Sequence, residues 1–437
     1  MAKSRLKVEI YVVKPDRDFL VKTLSQSGKV CSEIAHVHHW RVYSLNIMGI
    51  YAEDYPWDVR IEKILGGLAI HGHNVSLVCR NLNRSDRTEQ IGNILCLRVL
   101  NPRIGRFWQS LFSIPAFFNP VWKLAIREAI SINQIDLVIV RDLPLAPLAL
   151  SEANHAGIPC IVDMAENHPE MWKQVGLNDS WKIRSFIFKN PYLAKKMEFN
   201  VANSSAVIFV VVEEMQNHLL SLGANPNNVY VVSNTPELKN VSQCPTPTSV
   251  TLGKKYLDIV YTGLITKRRG LDKVIETLST LKNMTPLPRL QIIGAGDNVE
   301  ELKKLTQSLQ CEHQIHFHGW VDHKNLTAMI AEFDVGIIPH PRNGHTDNTI
   351  PNKIFDYMAV GKPVLVSNAR PLKRLVENFN CGRVYIDGSL DSMANAIKAF
   401  SDWGQNFEMG VNGYNAVRLQ YNWKTDFKRV LEIIDSL

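Results

Sequence analysis

Short β-branched runs alternating with stretches of helical periodicity constrain this chain more than any other feature. The runs are Ser44–Ile50, Asn74–Cys79, Leu137–Val140, Cys160–Val162, Val207–Val212 and Val229–Val232, then Asp258–Tyr261, Leu290–Ile293, Ile315–Phe317, Val335–Ile338 and Pro363–Val366. Amphipathic segments such as Arg60–His71 and Leu271–Leu281 lie between many of them. Strands separated by helices have the crossover connections that parallel pairing needs, so the pattern predicts an α/β chain of doubly wound parallel sheets. In such sheets ligands bind at the carboxyl ends of strands. Val207–Val212, the most apolar run, has the length of a buried parallel strand, and no stretch approaches the roughly 18 apolar residues that span a bilayer.

At 437 residues the chain exceeds one hydrophobic core and reads as two or three domains. Asn234 to Lys254 holds three prolines with Ser and Thr and little apolar material, which marks a linker. The expected organisation is a Rossmann-like domain over 1–240, with 1–40 unplaced, a linker at 241–255, and a second Rossmann-like domain over 256–400. Helices over 401–437, carrying Trp403, Tyr414, Tyr421, Trp423 and Phe427, are expected to cross back to the first domain. No repeat of solenoid period occurs.

The 49 Lys and Arg against 42 Asp and Glu favour anionic partners such as phosphates, nucleotides or an anionic membrane surface, and fall short of a nucleic-acid binder's basic face. Seven cysteines, scattered and never spaced as CxxC, suggest neither a disulfide framework nor a zinc site and fit a reducing cytoplasm. The opening residues lack the apolar core and cleavage site of a secretory signal.

Three loops carry the chemistry. In Thr349-Ile-Pro-Asn-Lys-Ile-Phe-Asp-Tyr-Met-Ala-Val-Gly-Lys-Pro-Val-Leu, Pro351 suits the first turn of a helix and Gly361 its end. The unpaired amides and positive dipole end of such a helix suit a diphosphate, Lys353 adds a cation, and Asp356 falls on the same side to accept from a ribose hydroxyl. The alternative is a surface helix with ordinary charges, Ile354 and Met358 facing the core. In Tyr261-Thr-Gly-Leu-Ile-Thr-Lys-Arg-Arg-Gly-Leu-Asp, a strand ends at Gly263 and Lys267, Arg268 and Arg269 precede a helix start, an arrangement matched to pyrophosphate or to a solvated basic turn. Ile293-Gly-Ala-Gly-Asp is a broken dinucleotide fingerprint but one more glycine turn after a strand, through Gly294 and Gly296.

Taken in order, Tyr261–Asp272, Ile292–Asp297, His316–Val321 and Pro351–Val366 resemble the donor domain of family 4 glycosyltransferases. The resemblance implies a GT-B fold, two Rossmann-like domains facing a cleft, and a retaining enzyme needing no metal or cofactor. It implies that Arg269 with Lys267 or Arg268 binds the donor's diphosphate beside Gly263, and that Val321, Pro351, Asn352 and Lys353 line the donor site. The family's Glu–seven residues–Glu motif falls on Asn348 and Asp356, so the first carboxylate is lost, and Leu264 stands where an arginine usually follows the glycine. The Pro351-Asn352-Lys353 version is similar to that of bacterial surface-polysaccharide enzymes.

The first half resembles the family's acceptor domain more faintly. Trp57-Asp58 replaces the usual glycine pair, Arg60 matches the family's arginine, and Asp136–Val140 with Arg141-Asp142, then Gly157–Asp163, match later strands. Arg60, Arg141 and Asp163 are thus expected on the acceptor side. Relatives often carry Asp-x-His-Glu at Asp163-Met-Ala-Glu; here Ala165 takes the histidine's place, Glu166 the glutamate's, and His168 is displaced. Catalytic roles are therefore assigned to Glu166, His168, Arg269 and Lys353, with helix capping or a satisfied polar turn as the alternative for Glu166 and His168.

Phe107–Trp122 is aromatic-rich, and Trp181–Lys196 mixes aromatics with cations; both fit an interfacial surface or packing on a sheet. Membrane contact would imply a lipid-linked acceptor and a place at the inner face of the membrane. The single Asp-x-Asp, Asp16-Arg-Asp18, has too few ligands for an octahedral metal site. The expected activity is transfer of a sugar from a nucleoside diphosphate to a hydroxyl of a glycan or lipid-linked saccharide. Two rivals remain, a GT-B-like sugar-nucleotide epimerase and a non-catalytic GT-B partner subunit.

Overall fold

The computed structural model describes residues 23–24, 30–31, 44–56, 58–81, 86–99, 117–178, 189–237 and 254–437. The Asp16-Arg-Asp18 pair, the prolines of the proposed linker beyond Glu237, the aromatic stretch 107–116 and residues 181–188 lie outside them. The first 44 residues form a unit of their own, in which β1 (Thr23–Leu24) pairs antiparallel with β2 (Val30–Cys31). The second unit, Leu45–Leu437, holds two sheets.

The first sheet contains β3 (Asn46–Ile50), β4 (Asn74–Cys79), β5 (Thr88–Ile91), β6 (Ile94–Arg98), β7 (Leu137–Arg141), β8 (Cys160–Met164), β9 (Val207–Val210) and β10 (Val229–Val231). Their order is β10-β9-β8-β7-β3-β4-β6-β5, parallel except for β5 against β6. The chain winds outward from β3 one way and from β7 the other, so the switch point lies between β3 and β7. The second sheet contains β11 (Tyr256–Thr262), β12 (Leu287–Ile293), β13 (Ile315–Gly319), β14 (Val335–Ile338), β15 (Val364–Ser367) and β16 (Gly382–Tyr385), ordered β13-β12-β11-β14-β15-β16 and wholly parallel, with its switch between β11 and β14.

Both faces of each sheet are covered, as the near-continuous apolar strands require. Successive side chains point to opposite faces. In the first sheet Met48, Ile50, Val138, Val140 and Val162 therefore join the core under helices Pro120–Asn133, Ala146–Ala156 and Pro191–Ala202. Asn119 and Asn190 cap two of these helices, each followed by a proline that is pre-set for the first helical position. Trp122, from the aromatic stretch, is fully buried in this core.

The opposite face, with Ile47, Leu77, Ile139 and Phe209, is closed by the last helix, Trp423–Asp435, through Trp423, Phe427, Val430, Ile433 and Ile434. Helix Trp403–Leu419 belongs to the second lobe, where a Cβ on Gly410 would collide with the Gly361 carbonyl. The chain then crosses at Gln420–Asn422, Asn422 caps the last helix, and Trp423 N–H donates to Pro236 O at 2.8 Å. Gly67 is the matching feature on the first lobe, since a Cβ there would sit 2.5 Å from the Phe427 ring. The helical stretch that contains it is not a regular α-helix: Glu62–Gly66 is wound as a π-helix between short α segments. The periodicity of Arg60–His71 gives no hint of that insertion.

Besides the short β1–β2 pair, three strands of the two large sheets are missed by the sequence pattern. β5 (Thr-Glu-Gln-Ile) is a polar edge strand, β6 follows it through a tight turn at Gly92, and β16 is an edge strand containing Gly382 and Arg383. Edges need less apolar material than central strands. A second difference concerns Pro351. Helix Lys353–Ala359 starts later than expected, so Pro351 lies ahead of the Asn352 cap and Lys353 is the first helical residue. Among the described residues no helix is long and apolar enough to cross a membrane, and no three His, Cys, Asp or Glu side chains are grouped to hold a metal.

Candidate active site

The carboxyl ends of β7, β11 and β14, strands at the two switch points, deliver Arg141, Gly263 and His340 to one cleft of about 360 Å³ between the lobes. Its wall also includes Ala165, Glu166, Asn234, Arg269, His345, Pro351, Asn352 and Lys353.

The second-lobe side is built from backbone close approaches. Gly263 has φ 116° and Gly294 φ 151°, and a Cβ on Gly294 would collide with the Gly263 carbonyl, as one on Gly296 would with Ile265 O. Gly263 N–H donates to Ile293 O and Ile265 N–H to Ala295 O, both at 2.9 Å. Gly294 and Gly296 thus support the Gly263 turn from behind rather than line the cleft. The Tyr357 hydroxyl, 3.0 Å from Thr262 N, ties the end of β11 to helix Lys353–Ala359. This brings the Lys353 ammonium over the Tyr261 ring, 3.9 Å from its centroid, beside Gly263. Burial, with Arg269 nearby, holds the Lys353 ammonium well below the usual lysine pKa, while Asp356 acts in the opposite sense.

Arg269, half-buried at the end of the Lys267–Arg269 turn, meets His340 with Nη1···Nε2 3.3 Å. His340 is buried, and desolvation followed by the charges of Lys353 and Arg269 pushes its pKa well down, so it is a neutral partner. Lys267 and Arg268 are exposed. The cleft lining includes Arg269 but not the start of helix Leu271–Thr280, where Gly270 packs against the Pro339 carbonyl. Val321 and Asp356 are half-buried and also stand outside the lining. Asp356 acts on the charges of both Lys353 and Lys63 of the first lobe.

The first-lobe side differs in character. Arg60 and Asp163 form a fully buried bidentate pair, Nε–Oδ2 2.8 Å and Nη2–Oδ1 2.6 Å, beneath the cleft floor. Arg141 lies among Asp142 (2.9 Å), Asp58 (3.7 Å) and Asp163 (3.8 Å), and these carboxylates raise its pKa against the cost of burial. Asp142 holds φ 64°, an unusual conformation for a residue with a Cβ, and its carboxylate accepts from Ala165 N at 3.2 Å. His168 is turned away from the cleft, edge-on to Trp172 with ring centroids 5.6 Å apart, and burial lowers its pKa.

Glu166 reaches across the cleft. Its carboxylate lies 3.3 Å from His345 Nε2 on the opposite lobe. Desolvation, with Asp142 adding to it, pushes Glu166 up to about 7, and desolvation pushes His345 down to about 4. On the helix that follows Glu166, His168–Asn178, Glu170 packs against Gly344 and Gln174 Nε2 donates to Asn343 Oδ1 at 2.7 Å. Asn343 Oδ1 also accepts from His345 N and Thr346 N, both at 3.0 Å. Asn348 Nδ2 donates to Gly344 O at 2.8 Å, so its side chain holds this loop in shape. On the far side of the interface Arg374 pairs with Glu213 and Glu214. His340, His345 and Asn234 are cleft residues that the sequence motifs did not single out.

Comparison with known proteins agrees with this architecture. Residues 58–235 match the model of the glycosyl transferase 4-like domain and residues 247–414 that of glycosyl transferases group 1. A GDP-mannose-dependent alpha-(1-6)-phosphatidylinositol monomannoside mannosyltransferase of Mycobacterium tuberculosis is 26% identical over 170 residues, 38% of this chain and 44% of that protein. The chain spans 36% to 58% of the length of the curated relatives it matches. Sucrose-phosphate synthase from Thermosynechococcus elongatus superposes with TM-score 0.71 at 14% identity, over 90% of this chain and 98% of that one. HepE of Anabaena, in complex with UDP and glucose, gives TM-score 0.65 at 14% identity, over 90% and 100%. The fold is GT-B.

Proposed function

Because the chain joins a glycosyl transferase 4-like domain to a group 1 glycosyl transferase domain in the GT-B fold, we propose that it moves a sugar from a nucleoside diphosphate to a hydroxyl acceptor with retention at the anomeric carbon. The observation that carries this reading is the pair Arg269 and Lys353, which face the cleft beside Gly263 and, among the described residues, rest against His340 and the Tyr261 ring without a salt bridge. Cations held this way keep their hydrogen-bonding capacity for a ligand, and a diphosphate is the anion two of them match.

As the bond from C1 to the diphosphate oxygen breaks, charge grows on that oxygen, and Arg269 and Lys353 stabilise it there. Glu166 stands at the opposite wall, where its raised pKa lets it hold or release a proton near neutrality. Asp356 serves the ribose, while the exposed Lys267 and Arg268 draw the anion in. The reading calls on no metal or cofactor. Retention and membership of family 4 rest on the resemblance of the four ordered segments in the second half. A glycan or lipid-linked saccharide as acceptor is supported by the mycobacterial relative named for a phosphatidylinositol mannoside, and a place at the inner face of the membrane would follow from a lipid-linked acceptor.

The test is calorimetry and thermal shift with UDP, GDP and ADP and their glucose or mannose conjugates, followed by soaking. One nucleotide is expected to bind selectively and stabilise the fold, with its diphosphate beside Arg269 and Lys353 and its ribose towards Asp356. No binding, or density elsewhere, overturns the reading. Donor turnover without an acceptor points instead to an epimerase.

A further inference from the structure

The cleft has two chemically different ends. One is cationic, at Arg269 and Lys353; the other is the Glu166–His345 contact, made by opposite lobes. Both members of that contact line the cavity together with Ala165, whose methyl group leaves the space beside them open. His345 is held out from its loop by three constraints: its own N–H on Asn343 Oδ1, Asn343 on Gln174, and Asn348 on Gly344 O. Arg269 is near enough to influence the charge of both Glu166 and His345, so the two ends of the cleft adjoin.

From this juxtaposition we infer that His345, braced by Glu166 across the lobes, is the sugar-recognition residue of the cleft, hydrogen-bonding a hydroxyl of the transferred sugar. The inference rests on the transferase reading above and adds a residue and a role to it. His345 turns Nε2 to Glu166 and the cavity while Nδ1 is buried, so the uncharged imidazole offers Nε2 as donor or acceptor according to its tautomer, and a carboxyl group shares the same dual capacity when protonated. Sugar hydroxyls also donate and accept, so this pair matches them and does not compete with the cations for phosphate. The side chain of Asn348, engaged in the loop, leaves this task to His345. The same loop sets Gly344 on Glu170 and Asn343 on Gln174, so the residue assigned to the sugar sits within the contact between the lobes.

The experiment compares wild type, His345→Ala and His345→Gln for binding of UDP, GDP and ADP alone and as glucose or mannose conjugates, with thermal unfolding as a check of folding. For the nucleotide that wild type binds, His345→Ala is expected to keep the diphosphate affinity within about twofold. It should lose at least tenfold in the kcat/KM of sugar transfer (hydrolytic release of the nucleoside diphosphate from the donor when no acceptor is found), and His345→Gln should recover part of that loss. Unchanged kcat/KM in His345→Ala overturns the inference, and so does an equal loss for the bare diphosphate and its conjugate. Absence of any nucleotide binding by wild type is a separate result: it removes the transferase reading and this inference with it.

Discussion

The two lobes bring arginines and lysines to the same cleft and treat them in opposite ways. On the first lobe Arg60 is locked to Asp163 and Arg141 is surrounded by Asp58, Asp142 and Asp163. On the second, Arg269 touches a neutral histidine and Lys353 the face of a tyrosine, and among the described residues neither makes an ion pair. A buried cation matched by carboxylates serves the fold; one placed against uncharged groups costs stability and keeps its charge for an incoming anion. The difference separates architecture from binding within one pocket.

Four substitutions sharpen or break this contrast. The largest effect is expected from Asp163→Asn, which leaves Arg60 buried without its charge partner. It should cost about 3–5 kcal/mol in denaturant unfolding, and an unchanged midpoint would show that the pair is not structural. Lys353→Met should act in the opposite sense, lowering nucleoside diphosphate affinity about a hundredfold by calorimetry, about 3 kcal/mol, while the unliganded protein melts no lower than wild type. Loss of both properties together would erase the distinction between the lobes. His340→Ala removes the neutral support of Arg269 and should weaken the diphosphate about tenfold, with His340→Gln intermediate.

The smallest effect concerns pH. Glu166 has a folded pKa of about 7, above its ordinary 4.5. Its contribution to stability is therefore complete below pH 4.5 and disappears as pH rises through 7. Its side chain is 41% exposed, so the contribution is discounted to about 1 kcal/mol. Glu166→Gln should flatten the decline in melting temperature between pH 5 and pH 8, and an unaltered slope would place the titrating group elsewhere.

The sheets and their cleft were legible from the chain because central parallel strands must be apolar and because glycines punctuate their carboxyl ends. Gly263, Arg269 and Lys353 were legible for the same reason: charge beside a glycine turn is a local pattern. His340 and His345 were not, since a lone histidine in a polar loop becomes meaningful only once folding sets Arg269 or Glu166 against it. The packing of His168 on Trp172 was equally hidden, because one turn of helix decides whether a ring faces the cleft or the core. Asp142 was beyond reach too, as nothing in an Arg-Asp dipeptide announces a positive φ.

The crossing of the last helix has a consequence for biosynthesis. The lobe translated first lacks one wall until Trp423, Phe427, Val430 and Ile433 emerge from the ribosome. Until then Ile47, Leu77 and Phe209 present a greasy sheet face to the cell, a natural holding site for chaperones. Of the two lobes, the one made earlier is thus sealed later, and a nonsense codon at Trp423 would damage it more than the lobe completed just before that codon.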